Sequence, residues 1–296
     1  MKPEGPAGLF AVSAEPARGQ TARQAARREA RRRWAAPFLF LARYVGRTLT
    51  IAGMEARKLL HDPTELLTRA VQPALWLLVF GQVFTRTRAI PTGSTRYIDF
   101  MAPGILSQSV LFIAIFYGIS IIWERDLGIL HKFLVSPTPR SALVLGKAIS
   151  AGLRALTQGV IVYLLAVLLG VSMDWNPLAL LGVLLVVMLG AAFFSTFSLV
   201  IACVVRTRER FMGIGQILTM PLFFASNAIY PISIMPPWLQ AVSHANPLTY
   251  QVDALRSLML AGGSSSYGVG ADVGILVIAT AILIAVGSRL YPTIAT

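Results

Sequence analysis

Six long apolar segments constrain this chain more than any other feature of its sequence. They lie at about residues 66–85, 100–123, 149–171, 178–204, 212–230 and 271–289. A helix of about 20 apolar residues crosses the hydrocarbon core of a bilayer. Because hydrophobic residues make up 55% of the 296 residues and charged residues only 13%, these segments belong in lipid. The sequence therefore predicts an all-α integral membrane protein with six transmembrane helices.

Positive charge is distributed unevenly among the loops between these segments. Twenty Lys and Arg residues lie before the first segment, in residues 124–148, in residues 206–210 and at the end of the last segment, whereas the alternate loops hold only four. Loops rich in Lys and Arg stay in the cytoplasm. We therefore expect both termini and the loop 124–148 to be cytoplasmic.

The first 62 residues divide into two parts. Residues 1–36, rich in Gly, Pro and Ala and ending near the run ARREARRR, predict a basic, disordered cytoplasmic arm close to anionic lipid, with a nucleic-acid site as the alternative. In residues 37–62 apolar side chains recur every three or four positions, which predicts an amphipathic helix on the membrane surface rather than a surface helix of a soluble domain. Asp62, Pro63 and Glu65 form a capping-box pattern, so a new helix is expected from residue 63.

The polar residues in the cores of the apolar segments are neutral, and the cations Arg69 and Arg154 lie near segment starts. The neutral residues include Gln72, Ser107, Gln108, Ser109, Gln158, Ser195, Gln216 and Asn227, and the acidic residues lie only at segment ends or in loops. Proton-coupled transporters and cation channels usually need carboxylates or a carbonyl filter at membrane depth. The pattern instead favours helix packing or a pathway for an amphiphilic solute.

Sites for metal, disulfide and nucleotide are not predicted. Cys203 is the single cysteine, and the histidines, His61, His131 and His244, are scattered. The sequence LGKA at 145–148 lacks the glycine and the Ser or Thr of a P-loop. No cofactor or catalytic residue is therefore expected in this chain, and ATP-driven transport would require a separate ATPase.

The loop 124–148 has the pattern of an element that such an ATPase could contact. Residues 124–135 predict a short helix with Leu127, Leu130, Phe133 and Leu134 on one side. Pro137 ends it, and Thr138 with Pro139 begins a second helix that runs through Lys147 into the third span. A solvated hairpin is the alternative.

Several motifs in the chain resemble those of a known family. The stretch GISIIWERDLGILHKFLVSPTPRSALVLGK is similar to the end of the second span in ABC-2 type permeases, particularly the drug-exporter (daunorubicin-resistance-like) branch. NPLTYQVDALR at 246–256 resembles the end of that family's signature, which has a proline, an apolar residue, a variable residue, an aromatic or basic residue and, six positions after that residue, an arginine. APGIL at 102–106 and YPISIMPPWLQ at 230–240 are also similar, and the resemblance covers about residues 40–290.

The resemblance implies a transport subunit without enzymatic activity of its own. It would export an amphiphilic or hydrophobic solute, such as a drug, an antibiotic or a lipid-like molecule, across a bacterial plasma membrane. Its partners would be two ATPase subunits, which bind ATP and magnesium, and a second permease copy or a paralogue, in contact with membrane lipids. The alternatives are a polysaccharide or glycolipid exporter, an ATPase-independent channel or secondary transporter, and a membrane scaffold.

The resemblance also assigns residues to roles within a transmembrane domain of residues 63–296, preceded by a connecting helix at 37–62. Coupling to the ATPase would involve Glu124, Arg125, Gly128, Leu130, Phe133, Leu134, Pro137, Arg140 and Lys147. Residues 232–262 would form short extracellular, partly re-entrant helices with the signature residues Asn246, Pro247, Tyr250, Asp253 and Arg256. The solute pathway would include Ser107, Ser109, Tyr117, Met220, Phe223, Phe224 and Asn227, for which helix packing is the alternative.

One ion pair follows from the residues themselves. Arg256 is costly near the centre of a bilayer, so we expect it at a shallow depth. Asp253, three residues earlier, lies on the same helix face and is the expected partner.

Overall fold

The computed structural model describes residues 71–88, 90–93, 95–128, 140–205 and 207–291, together with Gly46 and Thr50. The chain divides into two compact units, Met1–Gly46 and Arg47–Thr296, and nearly all described residues belong to the second. The predicted arm at 1–36 lies outside the described residues. Of the predicted connecting helix at 37–62, only Gly46 and Thr50 are described, and both are helical.

The described part of the second unit consists of helices joined by turns and loops. A π-helical stretch, Trp76–Gly81, leads into α1 (Gln82–Thr87). The helices that follow are α2 (Tyr97–Tyr117), α3 (Ile119–Asp126), α4 (Arg140–Leu168), α5 (Pro177–Val204), α6 (Arg208–Phe224), α7 (Pro237–Ala245), α8 (Pro247–Met259) and α9 (Val269–Leu290). In place of strands, these residues contain one isolated bridge, between Met173 and Leu260. The predicted all-α class is confirmed for the described part of the chain.

Four helices among the described residues are long and apolar enough to cross a membrane. They are Tyr97–Asp126, which joins α2 and α3, then Arg140–Leu168, Pro177–Val204 and Val269–Leu290. These correspond to the second, third, fourth and sixth predicted segments. The first predicted segment is helical from residue 71 onward, where its description begins.

The fifth predicted segment is shorter than expected. The prediction extended to residue 230, but α6 ends at Phe224 after 17 residues. The reason is a turn over residues 225–230, which the Asn246 amide holds by donating to the carbonyl of Leu222 in the last turn of α6 at 2.7 Å and to that of Ala225 at 3.2 Å. The apolar composition of residues 212–230 does not indicate where such a turn begins.

Polar residues at the helix ends explain where several helices begin. The Asn176 side chain accepts a hydrogen bond from the Leu178 amide at 3.0 Å, and Pro177 occupies the first position of α5. Asn246 and Pro247 repeat this arrangement at the start of α8. Asparagine satisfies an amide that the helix leaves unpaired, and proline at the first position loses no hydrogen bond.

Helix α2 lies at the centre of the unit and packs against α4, α5 and α8. Every residue of α2 except Phe112 and Phe116 is buried. Gly104 is the point of closest approach, because a Cβ atom there would lie 2.3 Å from the carbonyl oxygen of Ala228. The absence of a side chain at Gly104 therefore allows the 225–230 turn to pack directly on α2.

Helices α5 and α9 expose large apolar side chains on their outer faces. Leu178, Leu185 and Ile278 are 77%, 60% and 63% exposed. Apolar surface facing outward is typical of helices that lie in lipid, where the bilayer rather than the protein covers the side chains. Two ends of this bundle are named below: the Glu124 end, where α3 ends and α6 begins, and the Arg256 end, which carries α7 and α8.

Candidate functional site

A buried ion pair joins two helices at the Glu124 end. The Lys147 ammonium group of α4 donates to the Glu124 carboxylate of α3 at 2.8 Å, and both residues are more than nine-tenths buried. These residues lie on either side of the predicted coupling loop. The ion pair therefore fixes the two helices between which the loop emerges, and Glu124 and Lys147 are not part of its outer surface.

A second group of charges joins α3 to α6 at the same end. The Arg208 guanidinium donates to the Asp126 carboxylate at 2.8 and 3.1 Å and lies 3.7 Å from the centre of the Trp123 ring. Arg125 also pairs with Asp126, at 3.0 Å. All of these side chains are partly exposed, so the group lies at the surface of the Glu124 end and connects it to the start of α6.

The loop differs in one respect from its prediction. The sequence predicted a helix over residues 124–135, but α3 ends at Asp126 and Gly128 has φ of 68°. Glycine adopts this left-handed conformation without steric cost, and here it ends the helix, since its amide donates to the Arg125 carbonyl at 2.9 Å. Residues 124–126 are thus the last turn of the second span.

The remaining coupling residues are only partly described. Leu130, Phe133, Leu134 and Pro137 lie outside the described residues, as do Thr138 and Pro139. Arg140 is exposed at the first described position of α4, and this helix runs without interruption through Lys147 to Leu168, as predicted.

A cavity with a mainly apolar lining and a few polar groups lies against α2 and α4. It has a volume of about 320 Å³ and is lined by Gln72, Pro73, Ser109, Phe112, Ile113, Phe116 and Gln158. Amide and hydroxyl groups in an aromatic and aliphatic wall suit a solute that is mainly apolar with a few hydrogen-bonding groups. Of the predicted pathway residues, Ser109 alone is among those that line this cavity.

The other predicted pathway residues do not converge on that cavity. Ser107 is buried in α2, while Met220 is half-buried and Phe224 is 43% exposed on α6. Phe223 is fully buried against Trp76, with ring centres 5.7 Å apart, and Asn227 is buried in the turn after α6.

Tyr117 belongs to the charged region of the Glu124 end. Its ring lies 5.8 Å from the Lys147 ammonium group and 5.1 Å from the Arg154 guanidinium. The face of an aromatic ring attracts cations at such distances. Tyr117 thus connects the end of α2 with α4.

The signature residues at the Arg256 end attach α8 to its neighbours. Asn246 caps α8 by accepting from the Leu248 amide at 3.1 Å, while its amide group donates to the end of α6. Pro247 occupies the first position of α8, and the Tyr250 hydroxyl donates to the His244 carbonyl of α7 at 2.6 Å. Asn246 and Tyr250 therefore link α8 to neighbouring helices, and Pro247 marks where α8 begins.

Arg256 of α8 is largely buried against α2 and the 225–230 turn. Its guanidinium donates to the Asn227 carbonyl at 2.7 Å and lies 4.0 Å from the centre of the Phe100 ring. Burial lowers the pKa of Arg256 to about 10, and Asp253 opposes that shift, so the side chain remains cationic at neutral pH. The predicted pair with Asp253 is present at 3.9 Å, which makes it a weaker contact than the bond to Asn227.

Sequence reasoning missed two groups of residues. The contacts of Arg208 with Asp126 and Trp123 join residues about 80 positions apart, and their spacing gives no signal of this. Ser265 and Asp272 form a cluster with Asp253 at the Arg256 end. An acidic residue at the start of an apolar span was the one available sign of that cluster.

Comparison with known proteins places these features in a family. Residues 22–260 match the family model described as ABC-2 type transporter. The chain is 28% identical to the daunorubicin resistance ABC transporter permease protein DrrB1 of Streptomyces coeruleorubidus over 242 residues, or 82% of this chain and 83% of that protein.

Two further relatives carry transport names. The chain is 30% identical over 203 residues to ycf38 of Cyanophora paradoxa, named as a transport permease, covering 68% of this chain and 70% of the relative. It is 23% identical over 200 residues to the inner membrane transport permease YadH of Escherichia coli K12, covering 64% and 73%. The chain therefore belongs to the ABC-2 type transporter family, whose members are the membrane-spanning subunits of transporters.

Proposed function

We propose that this chain is the permease subunit of an ATP-driven exporter that carries an amphiphilic or hydrophobic solute out of the cytoplasm or the inner leaflet. Two copies of a separate ATPase would supply the energy, and a second permease copy or a paralogue would complete the membrane part. The family and the names of its relatives support this proposal.

The proposed topology has six spans in a bacterial plasma membrane with both termini in the cytoplasm. The four long apolar helices are four of these spans, and the helix ending at Thr87 and α6 are the other two. The excess of Lys and Arg in residues 1–65, 124–148 and 206–210 favours a cytoplasmic Glu124 end. The Arg256 end is then extracellular, where we propose that α7 and α8 partly re-enter the outer leaflet.

The observation that carries the proposal is the ion pair between Glu124 and Lys147. A loop that transmits force to the spans must be held rigidly against them, because a loosely held loop can move without displacing the spans. The buried pair joins α3 to α4 on either side of the loop, and Arg208 joins the same turn of α3 to α6. A force on residues 127–139 would in this way reach the second, third and fifth spans together.

The switch between inward-facing and outward-open states would follow from ATP binding by the partner. A ligand shifts an equilibrium only by its differential affinity for the two states. Closure of the ATPase dimer around ATP would displace the loops, and their attachment to α3, α4 and α6 would favour one arrangement of the spans.

The cavity lined by Gln72, Ser109 and Gln158 supports an amphiphilic solute. Three neutral hydrogen-bonding side chains lie among Phe112, Ile113 and Phe116. Such a lining accepts apolar surface and offers a few hydrogen bonds, whereas a polysaccharide would need many more polar partners.

Purification of the tagged chain from native membranes in mild detergent tests the function. We expect a soluble subunit with a P-loop to co-purify with the wild type and to be lost from Phe133→Ala/Leu134→Ala. The control variant, Trp238→Ala, alters an exposed aromatic at the Arg256 end and should retain the subunit. Transport of daunorubicin, a fluorescent amphiphile, by vesicles that contain the purified chain without any ATPase would contradict the proposal.

A further inference from the structure

Two carboxyl groups are buried side by side at the Arg256 end. Asp253 of α8 and Asp272 of α9 have no exposed surface, and the hydroxyl of Ser265 lies between them. The Ser265 Oγ atom is 2.9 Å from Oδ2 of Asp253 and 2.8 Å from Oδ2 of Asp272. Neither family membership nor the proposed transport function assigns a role to this arrangement.

The Asp253 carboxyl has the environment of an ionised group. Its Oδ2 atom accepts from the backbone amides of Ser266 at 2.6 Å and Tyr267 at 3.2 Å, and its Oδ1 atom accepts from the Ser266 hydroxyl at 3.3 Å. The Arg256 guanidinium lies 3.9 Å from Oδ1. Several donors and a nearby cation stabilise the charged form of a carboxyl group.

The Asp272 carboxyl has the opposite environment. Its Oδ1 atom is buried and has no hydrogen-bond partner among the described residues, which include every residue from 207 to 291. Its Oδ2 atom has the Ser265 hydroxyl as its partner. A buried carboxylate that leaves one oxygen without a donor is costly, whereas the carbonyl oxygen of a neutral carboxylic acid tolerates this better.

Counting protons at Ser265 distinguishes the two carboxyl groups. A serine hydroxyl has one hydrogen to donate and two lone pairs that accept. The Gly268 amide donates to one lone pair at 2.7 Å. If the Ser265 hydrogen goes to ionised Asp253, the 2.8 Å contact with Asp272 is a hydrogen bond only when the Asp272 carboxyl donates its own hydrogen.

We propose that Asp272 is a proton-binding site, and that its bound proton holds residues 261–268 between α8 and α9. In the protonated state the Asp272 O–H group donates to Ser265 and the Ser265 O–H group donates to Asp253. Loss of the proton places two carboxylates on either side of one hydroxyl, and the hydroxyl can donate to only one of them. The repulsion and the lost bond release the loop from α9.

The other groups that face this cluster do not replace the proton. Helix α8 contributes Asp253, Arg256 and Tyr250, and Arg256 already pairs with Asp253 and Asn227. Burial, followed by Tyr250 and Asp253, raises the pKa of Tyr267, which contacts His244 of α7 through its hydroxyl at 2.6 Å. Helix α5 carries no charged residue, and the cations of α4, Arg140, Lys147 and Arg154, lie toward the Glu124 end.

Infrared spectroscopy of the full chain in nanodiscs tests the proton directly. We expect the wild type at about pH 5, where ordinary carboxyl groups are mostly ionised, to show the C=O stretch of a protonated carboxylic acid, and Asp272→Asn to lose it. Asp174→Asn, which removes a half-buried acid at the same end, should retain the band. Retention of the band in Asp272→Asn, or its loss in Asp253→Asn alone, would overturn the assignment.

Stability against pH gives a second measurement that does not depend on spectral assignment. The native state would hold one proton that the unfolded chain releases, so the unfolding temperature of the wild type should fall as pH rises from about 4 to 7. The side-chain amide of Asp272→Asn can donate to Ser265 at every pH in this range. The unfolding temperature of this variant should therefore fall less than that of the wild type. An equal fall in both proteins, with unchanged hydrogen exchange of the amides at 264–268, would contradict the proposal.

Discussion

The Lys147 ammonium group donates a hydrogen bond to the Glu124 carboxylate at 2.8 Å, and the pair joins α3 to α4, the helices that precede and follow residues 127–139 in the chain. Water reaches less than a tenth of either side chain. Removing one member of such a pair leaves the other charge buried without compensation, which is more costly than removing both. The pair is therefore the point at which stability and coupling can be tested together.

We predict that Glu124→Gln and Lys147→Met each destabilise the protein by about 3–5 kcal/mol. The double variant should be less destabilised than the sum of the two, because neither charge is then left alone. Thermal unfolding of the purified chain in detergent measures these differences. Additive effects of the two substitutions would show that the side chains do not interact.

The contact between Arg208 and Asp126 should matter for coupling more than for stability. Both side chains are about one-third exposed, so the pair contributes only about 0.2–1 kcal/mol. Asp126→Arg and Arg208→Asp should each lower the number of solute molecules exported per ATP, and the double exchange should restore it. Arg210→Asp, on the same helix, is the matched control. Failure of the double exchange to improve on either single variant would count against the contact.

The Asn246 side chain both caps α8 and donates hydrogen bonds to the end of α6. Comparison with Asn176, which caps α5, separates the two contributions to stability. Asn176 and Asn246 both cap a helix that begins with proline, but only Asn246 also donates to the end of α6. Loss of a cap costs about 1 kcal/mol. Asn246→Ala should therefore destabilise the protein more than Asn176→Ala, while Asn246→Asp should retain the cap and lose the link to α6. Equal unfolding temperatures for the two alanine variants would contradict this.

Gly104 permits the close packing of the 225–230 turn on α2. A methyl group there would meet the Ala228 backbone, which cannot move like a flexible side chain. We predict that Gly104→Ala destabilises the protein by about 1–3 kcal/mol, the usual cost of overpacking a core. Gly274→Ala in α9, where a Cβ atom would meet nothing within 4 Å, is the control and should not destabilise. Denaturation of both variants in detergent checks the difference.

The sequence predicted those features of the fold that depend only on residues close together in the chain. The apolar segments predicted the helices Arg140–Leu168, Pro177–Val204 and Val269–Leu290 because length and apolarity alone decide whether a helix suits a bilayer. Asn246 and Pro247 likewise marked the start of α8, since capping depends on adjacent residues. The misplaced end of α6, at Phe224, is set by the side chain of Asn246 from 22 residues away.

The contacts of the candidate site could not be predicted in the same way. Glu124 and Lys147 were both identified as coupling residues, yet their pairing depends on how α3 packs against α4. Arg208 carries no pattern that connects it to Asp126, and its position follows from the packing of α6 on α3. Tyr117 was expected in the solute pathway, but its neighbours in space are Lys147 and Arg154.

Photo-crosslinking from the loop tests the central claim most directly. A photoreactive phenylalanine analogue replaces Phe133 in one variant and Trp238, exposed at the opposite end, in another. If the chain is an ATPase-coupled permease with a cytoplasmic Glu124 end, illumination of intact cells joins position 133, and not position 238, to a subunit with a P-loop. A chain that exports solute while neither position crosslinks to an ATPase, or that crosslinks only from position 238, would contradict the account.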